Sequence, residues 1–332
     1  MPQSSFHKHD ISKKSFLITG GSGFIGSNLV EYLVSHNAGH IRILDNLLTS
    51  SIENIRPFLK HSNVEFIEGD IRDSGICTQA CKGIDYVSHQ AALGSVPRSV
   101  KDPQTTHAIN STGFLNILVA ARDAKVKRFV YASSSSVYGD HPVLPKTEDE
   151  TGNPLSPYAV SKKTNELYAR VFADTYAMEI IGLRYFNVFG PNQSPDGPYA
   201  AVIPLFIQSI LDNKPPFIDG DGEQTRDFTF VENAVQANVL AMLTENKDAL
   251  NQIYNVAVGE RSSINQLYNL IAKLCGSDLS PTYRESRAGD IKDSLADISK
   301  AINNLGYRPT TQLAEGLKKT FEWFKKSAVN SN

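Results

Sequence analysis

Apolar and polar positions along this chain alternate between two periods, and the alternation predicts its architecture. Phe16–Thr19 is a short apolar run, and Leu29, Val30 and Leu33 follow at helical spacing. Further strand-like runs are "HIRILDN", reaching Asp45, "VEFIEGDI", reaching Asp70, and "DYVSHQAA", reaching Gln90-Ala91-Ala92. Two more are "RFVYASSSS", closing on Ser133–Ser136, and "EIIGLRYFNVFG", leading to Asn187. Helical patterns such as "TGFLNILVAARDA" separate them. Strands alternating with helices predict an α/β fold built on a doubly wound parallel sheet, with its chemistry at the strands' carboxyl ends.

Composition adds exclusions. The 332 residues suffice for one large domain or two interlocked ones. A net charge of −2 gives no footprint for a phosphate backbone, so no nucleic-acid partner is expected. No run approaches the ~20 apolar residues of a membrane span, and no membrane partner is expected either. The start, "MPQSSFHKHDISKK", lacks the apolar core of a secretory signal and reads as a disordered lead-in or a capping tail. Cys77, Cys81 and Cys275 form neither a zinc pattern nor a disulfide framework. A cytoplasmic, metal-free protein with free thiols is expected.

Gly20, Gly23 and Gly26 stand three apart between the first strand and the first helix. Strand, glycine turn and helix together aim helix N-terminal amides at a pyrophosphate, and glycine is needed where backbone approaches phosphate closely. Asp45 ends the next strand 19 residues after Gly26. An acid there accepts from the adenosine ribose hydroxyls and repels a 2′-phosphate, which favours NAD over NADP. A turn-capping role is the plainer alternative for Asp45.

Tyr158 and Lys162, four apart in "SPYAVSKK", share a helix face, with Pro157 suited to the helix start. A phenol near pKa ~10 is a poor base at neutral pH, and an adjacent ammonium favours the phenolate. Such a pair also arises by chance. What separates the readings is the serine run 22 to 25 residues upstream, which offers a hydroxyl to the same substrate oxygen.

The segments "TGGSGFIG", "GDI", "HQAA", "SSSSVYG", "YAVSK" and "LRYFNVFGP" together resemble the extended short-chain dehydrogenase/reductases, and among them the UDP-sugar 4-epimerases. The resemblance covers about residues 15–325. It implies a polar tail over 1–14 and an NAD-binding Rossmann domain over 15–186 with returns near 228–262. A smaller α/β UDP-sugar-binding lobe would comprise 187–227 and 263–327. Tyr158 becomes the acid/base, Lys162 its partner and Ser134 the catalytic hydroxyl, with Ser135 and Ser136 near the sugar. NAD would lie against Gly20, Gly23, Phe24, Ile25, Gly26, Asp45, Asn46, Asp70, Ile71, Gln90, Ala91, Ala92 and Tyr185, as well as Tyr158 and Lys162. Ser50 departs from the family, whose members often carry glycine there, so the local loop shape is open.

The family's dehydratases and decarboxylases place a carboxylate immediately before "VYG", where this chain has Ser136. Elimination without that acid is hard, whereas epimerisation needs only reversible hydride transfer through a 4-keto sugar. The NAD is then regenerated and should be retained. By the same resemblance Arg226 and Arg287 clamp the diphosphate, as forked guanidinium donors suit. Asp290 holds the uridine ribose, Phe217 lies against uracil and Asn187 holds a phosphate or sugar oxygen. Ser95, Ala201 and Val202 complete the substrate wall. Ser294 stands where galactose-type epimerases hold a bulky tyrosine, so it would leave room for an acetamido group. These resemblances imply a homodimeric UDP-N-acetylglucosamine/UDP-N-acetylgalactosamine 4-epimerase that pairs helices around Thr106–Ala124 and Tyr158–Tyr176. A UDP-glucose/UDP-galactose or UDP-uronate epimerase is the nearest alternative. A catalytically silent NAD-sensing regulator is a third reading, although such proteins tend to lose the tyrosine or lysine retained here.

Overall fold

Seven parallel strands run through the molecule in the order β7-β6-β5-β4-β1-β2-β3. They are β1 (Ser15–Thr19), β2 (His40–Asp45), β3 (Val64–Glu68), β4 (Tyr86–His89), β5 (Arg128–Ser134), β6 (Ile180–Tyr185) and β7 (Ile253–Val256). The computed structural model describes residues 5–196, 200–285 and 292–330, without the side chains of 327–330. Strand order reverses between β1 and β4, and such a switch point opens a crevice at the carboxyl ends.

The principal helices are α1 (Phe24–Ser35), α2 (Ser74–Cys81), α3 (Phe114–Asp123), α4 (Pro157–Tyr176), α5 (Val202–Leu211), α6 (Val231–Leu243), α7 (Ile264–Cys275) and α8 (Leu313–Asn330). On one sheet face α1 and α6 bury Leu29, Val30, Leu33, Val235 and Val239 against Ile18, Ile43 and Val130. On the other, α2, α3 and α4 bury Cys77, Ile117, Leu118 and Phe172 against Leu17, Val87 and Phe129. A third cluster, with Phe206, Tyr268, Leu267 and Leu317, joins α5, α7 and α8 beyond the sheet. Helix α7 opens with a capping box between Ser263 and Gln266 and stops at Gly276 in the left-handed region.

Two details depart from the sequence pattern. The sixth run does not continue as one strand: β6 ends at Tyr185, Asn187 takes a positive φ of 33°, and a separate short strand follows at Val188–Phe189. The helix preceding β5 starts earlier than its pattern, with α-helical Pro103–His107, a π turn over Ala108–Gly113, and then α3. Inside the π turn Asn110 clasps Leu93, accepting from its N–H at 2.8 Å and donating to its carbonyl at 3.1 Å, and reaches Ser161 Oγ on α4 at 3.2 Å.

The polar lead-in packs back onto α1. Phe6 stacks on the Tyr32 ring at 5.2 Å, His7 Nδ1 lies 2.7 Å from the Tyr32 hydroxyl, and Ile11 is buried.

Candidate active site

The glycine turn shapes one end of a cavity of about 620 Å³ that runs over the carboxyl ends of the sheet. Gly20 has a φ of +67°, and a Cβ there would stand 2.6 Å from Ala91 N. At Gly26 a Cβ would meet Gly20 O at 2.1 Å, so only glycine lets α1 start directly on the turn. Gly23 caps α1 with no side-chain hydrogen bond, which leaves first-turn amides for an anion. Gly20, Gly23, Phe24, Ile25 and Gly26 all line the cavity. A bare helix N-terminus in a backbone cradle fits the pyrophosphate of NAD.

Asp45 and Asn46 also line the cavity. One Asp45 oxygen accepts from Leu47 N at 2.9 Å and Ser50 Oγ at 3.0 Å, and the other from Ser22 N at 3.0 Å. Ser50 therefore anchors the acid, and its replacement of glycine creates no positive-φ strain there. A carboxylate has about four lone-pair sites, so one remains for a ribose hydroxyl.

Asp70 differs from expectation. Its carboxylate does not line the cavity: Arg72 holds it at 2.7 Å and Asn46 Nδ2 at 2.8 Å, and the Arg72 hydrogen bond draws its pKa down to about 2. Its neighbours Gly69 and Ile71 form the wall instead. Gln90, Ala91, Ala92 and Ser95 continue it. Ser95 also caps a short helix, accepting from Arg98 N at 3.2 Å.

Tyr158, Lys162, Ser134 and Ser135 meet at the other end, with Tyr185, Asn187 and Ala201. Ser156 caps α4 by accepting from Ala159 N, and Pro157 begins the helix, so Tyr158 projects from its first turn. Lys162 Nζ donates to Ala132 O at 2.8 Å and stands 5.9 Å from the centroid of the Tyr158 ring. Burial raises the Tyr158 pKa above its ordinary value, while a hydrogen bond with Ser134 lowers it in part. Burial also lowers Lys162, to about 8, against the opposing charge of Glu166. In the protein alone burial therefore governs the Tyr158 phenol, and the expected phenolate-favouring effect of Lys162 is not among its causes. The Lys162 ammonium is present below pH of about 8 and fades above it, so its positive charge in the site is lost on the alkaline side.

Ser136 does not line the cavity, and its buried Oγ finds no partner among the described residues. Val202 packs partly buried against the third core cluster, away from the cavity lining. Phe217 is 57% exposed, with the Arg284 guanidinium 5.2 Å from its ring centroid, and does not line the cavity either. Arg226 and Ser294 stand outside the lining but close to each other. Ser294 N donates to Thr225 O at 3.1 Å, and Arg226 Nη1 reaches Lys292 O at 3.2 Å. Arg287 and Asp290 lie outside the described residues.

The sequence reading missed Gln193 and Arg98, both in the cavity wall. Gln193 Oε1 is buried without a partner among the described residues, so it is available to a ligand donor. Its position just after "FGP" was the available signal.

The family model for the NAD dependent epimerase/dehydratase family matches residues 16–257. In structure the chain is similar to a UDP-N-acetylglucosamine 4-epimerase from Methanobrevibacter ruminantium M1 in complex with UDP-N-acetylmuramic acid. The two share 40% identity with a TM-score of 0.89, over 95% of this chain and 99% of that one. It is 36% identical to the UDP-glucose 4-epimerase of Mycolicibacterium smegmatis, over 93% of this chain and 98% of the relative. It is 34% identical to the UDP-glucuronate 4-epimerase of Thermodesulfobacterium geofontis, over 94% and 96%. The relatives act on different sugars, yet the family is common to them. On the family match and the glycine cradle alike, the chain belongs to the NAD dependent epimerase/dehydratase family.

Proposed function

We propose that this chain interconverts UDP-N-acetylglucosamine and UDP-N-acetylgalactosamine at carbon four. It is a UDP-sugar 4-epimerase, and its cofactor is NAD. NAD, when bound, accepts hydride from carbon four and returns it. The chain's own residues do the rest. Tyr158 takes the proton of the 4-hydroxyl and gives it back after the sugar turns over, and Ser134 hydrogen-bonds the same oxygen. Lys162 supplies positive charge beside the phenol. Arg226 and Arg287 hold the diphosphate, and Asn187 holds a phosphate or sugar oxygen.

What supports the sugar assignment is the small, half-buried Ser294, bonded to the Thr225–Arg226 strand, at the position where the family resemblance puts a bulky tyrosine in galactose-type epimerases. The 40%-identical relative named for UDP-N-acetylglucosamine supports the same reading. The test incubates purified protein, without added NAD, with UDP-N-acetylgalactosamine, UDP-N-acetylglucosamine, UDP-galactose and UDP-glucuronate. Turnover should favour the acetylated pair, and denatured protein should release NAD(H). A preference for the other sugars would overturn the assignment, and release of NADP would overturn the role of Asp45.

We further propose a homodimer. On α4, Val160, Leu167 and Val171 are each more than half exposed, and Val100 nearby is 65% exposed, a stripe that water disfavours. Pro103–Asp123 adds no fully exposed large apolar side chain, so α4 carries most of the proposed contact. Light scattering should give twice the chain mass, and Leu167→Glu should shift it towards one. A monomeric wild type at micromolar concentration would reject the dimer.

A further inference from the structure

Tyr158, Lys162 and Glu166 stand at i, i+4 and i+8 on α4 and so form one stripe against the sheet. Three consecutive residues of β5 meet that stripe. Ala132 O accepts from Lys162, the Ser133 hydroxyl donates to Glu166 Oε1 at 2.7 Å, and Ser134 hydrogen-bonds Tyr158. From β6, Arg184 grips both oxygens of the same carboxylate, Nε to Oε1 at 2.8 Å and Nη2 to Oε2 at 2.9 Å. Arg184 pairs in register with Ser133, as Tyr185 does with Ser134. Its guanidinium also donates to Glu148 O at 2.9 Å and lies 4.8 Å over the Tyr138 ring. Glu166 and Arg184 are both buried.

We propose that Glu166 and Arg184 are positioning residues for this reaction: the pair locks α4 against β5 and β6 and sets the charge carried by Lys162. The proposal rests on the epimerase reading of the site given above. Its electrostatic half follows from the groups around Lys162. On its own helix are Tyr158, Glu166 and Lys163, whose Nζ is 3.8 Å from Glu166 Oε2. From β4 comes His89, kept neutral by burial, with a pKa pushed down to about 3. From β5 comes Tyr131, whose phenol burial holds well above its ordinary range, and from β6 come Tyr185, raised to about 12, and the cationic Arg184. Glu166 is the one anion in this set. The Glu166 charge therefore favours the Lys162 ammonium, while the buried like charge of Arg184, held 2.8 Å from the same carboxylate, opposes it.

The two members of the pair should then act on Lys162 with opposite sign, which simple damage to packing would not do. The experiment measures the pH profile of kcat/KM, with whichever UDP-sugar the wild type turns over, for Glu166→Gln and Arg184→Met. The alkaline limb reports loss of the Lys162 ammonium. It should move down by about one pH unit in Glu166→Gln and up by a similar amount in Arg184→Met, the size usual for one nearby charge. Breaking one partner of a buried pair strains folding, whereas replacing both by apolar residues of similar volume is often tolerated. The double variant Glu166→Leu/Arg184→Met should therefore fold, and because it removes one charge of each sign its limb should stay near that of the wild type. An NMR titration of [13Cε]lysine-labelled protein, with Lys162 assigned by its loss in Lys162→Met, reads the same shifts without turnover. Failure of the function reading and failure of this proposal are thereby distinguishable. Midpoints that stay fixed, or that move together in the two single variants, overturn the proposal; if the single variants do not fold, a double-variant midpoint displaced by a full unit does so.

Discussion

Replacing Tyr158 by Phe should lower kcat by about 10²–10⁴-fold, the usual contribution of general acid–base catalysis, while leaving the fold, the retained NAD and KM close to wild type. Phenylalanine fills the same volume on the first turn of α4, so the Ser156 cap and the contact of Lys162 with Ala132 O have no reason to change. On the proposed mechanism, what disappears is the acid/base that exchanges a proton with the 4-hydroxyl. At neutral pH Lys162 does not replace it, because it is mainly an ammonium that donates to Ala132 O, and only a neutral amine could act as a base. A loss in kcat without a loss in KM is the signature of an interaction made in the transition state alone. Steady-state kinetics beside a measurement of bound NAD checks this, and near-wild-type turnover would remove Tyr158 from the mechanism.

Ser294→Tyr should penalise acetylated sugars selectively. On the proposed placement of Ser294 beside carbon two, a phenol there would occupy the acetamido volume, because packed interiors hold few voids larger than a water molecule. Overpacking of that kind commonly costs ~1–3 kcal/mol. At ~1.4 kcal/mol per decade this is a roughly five- to hundredfold loss in relative specificity. UDP-galactose lacks the colliding group, and its turnover should change little. The ratio of kcat/KM for UDP-N-acetylgalactosamine to that for UDP-galactose, in both proteins, decides the matter. An unchanged ratio would mean that Ser294 does not set the pocket.

The choice of Ser134 came from the family resemblance, whereas the parallel sheet, the glycine turn and the Tyr158–Lys162 pair were legible because each rests on local pattern: apolar runs, glycines at a turn, an i, i+4 spacing. Strand ends were less so. "VEFIEGDI" pairs only as far as Glu68 and "DYVSHQAA" only as far as His89, because the chain leaves the ladder there to floor the cavity. No local pattern announces that Asp70 is held by Arg72 and Asn46, since a carboxylate at a strand end reads the same whether it faces a ligand or a guanidinium. The triangle of Ser133, Glu166 and Arg184 joins residues on three elements, and only the register of β5 with β6 brings them together. Gln193 follows a break at Asn187 that the apolar run concealed.

The π turn over Ala108–Gly113 has a consequence for how this chain tolerates changes of length. Such a turn amounts to one residue inserted into a regular helix. Here it works as a phase shifter: within it, Asn110 is aimed at Leu93 and α4, and after it, Phe114, Ile117 and Leu118 are aimed at the sheet. Removing one residue from the turn would make a smoother helix while rotating everything downstream by about 100°. Phe114 would then leave its place against Phe129 and Tyr131. A one-residue deletion there should thus cost far more soluble protein than one in the lead-in before β1, and lineages carrying this fold should keep that helix at constant length while their surface loops drift.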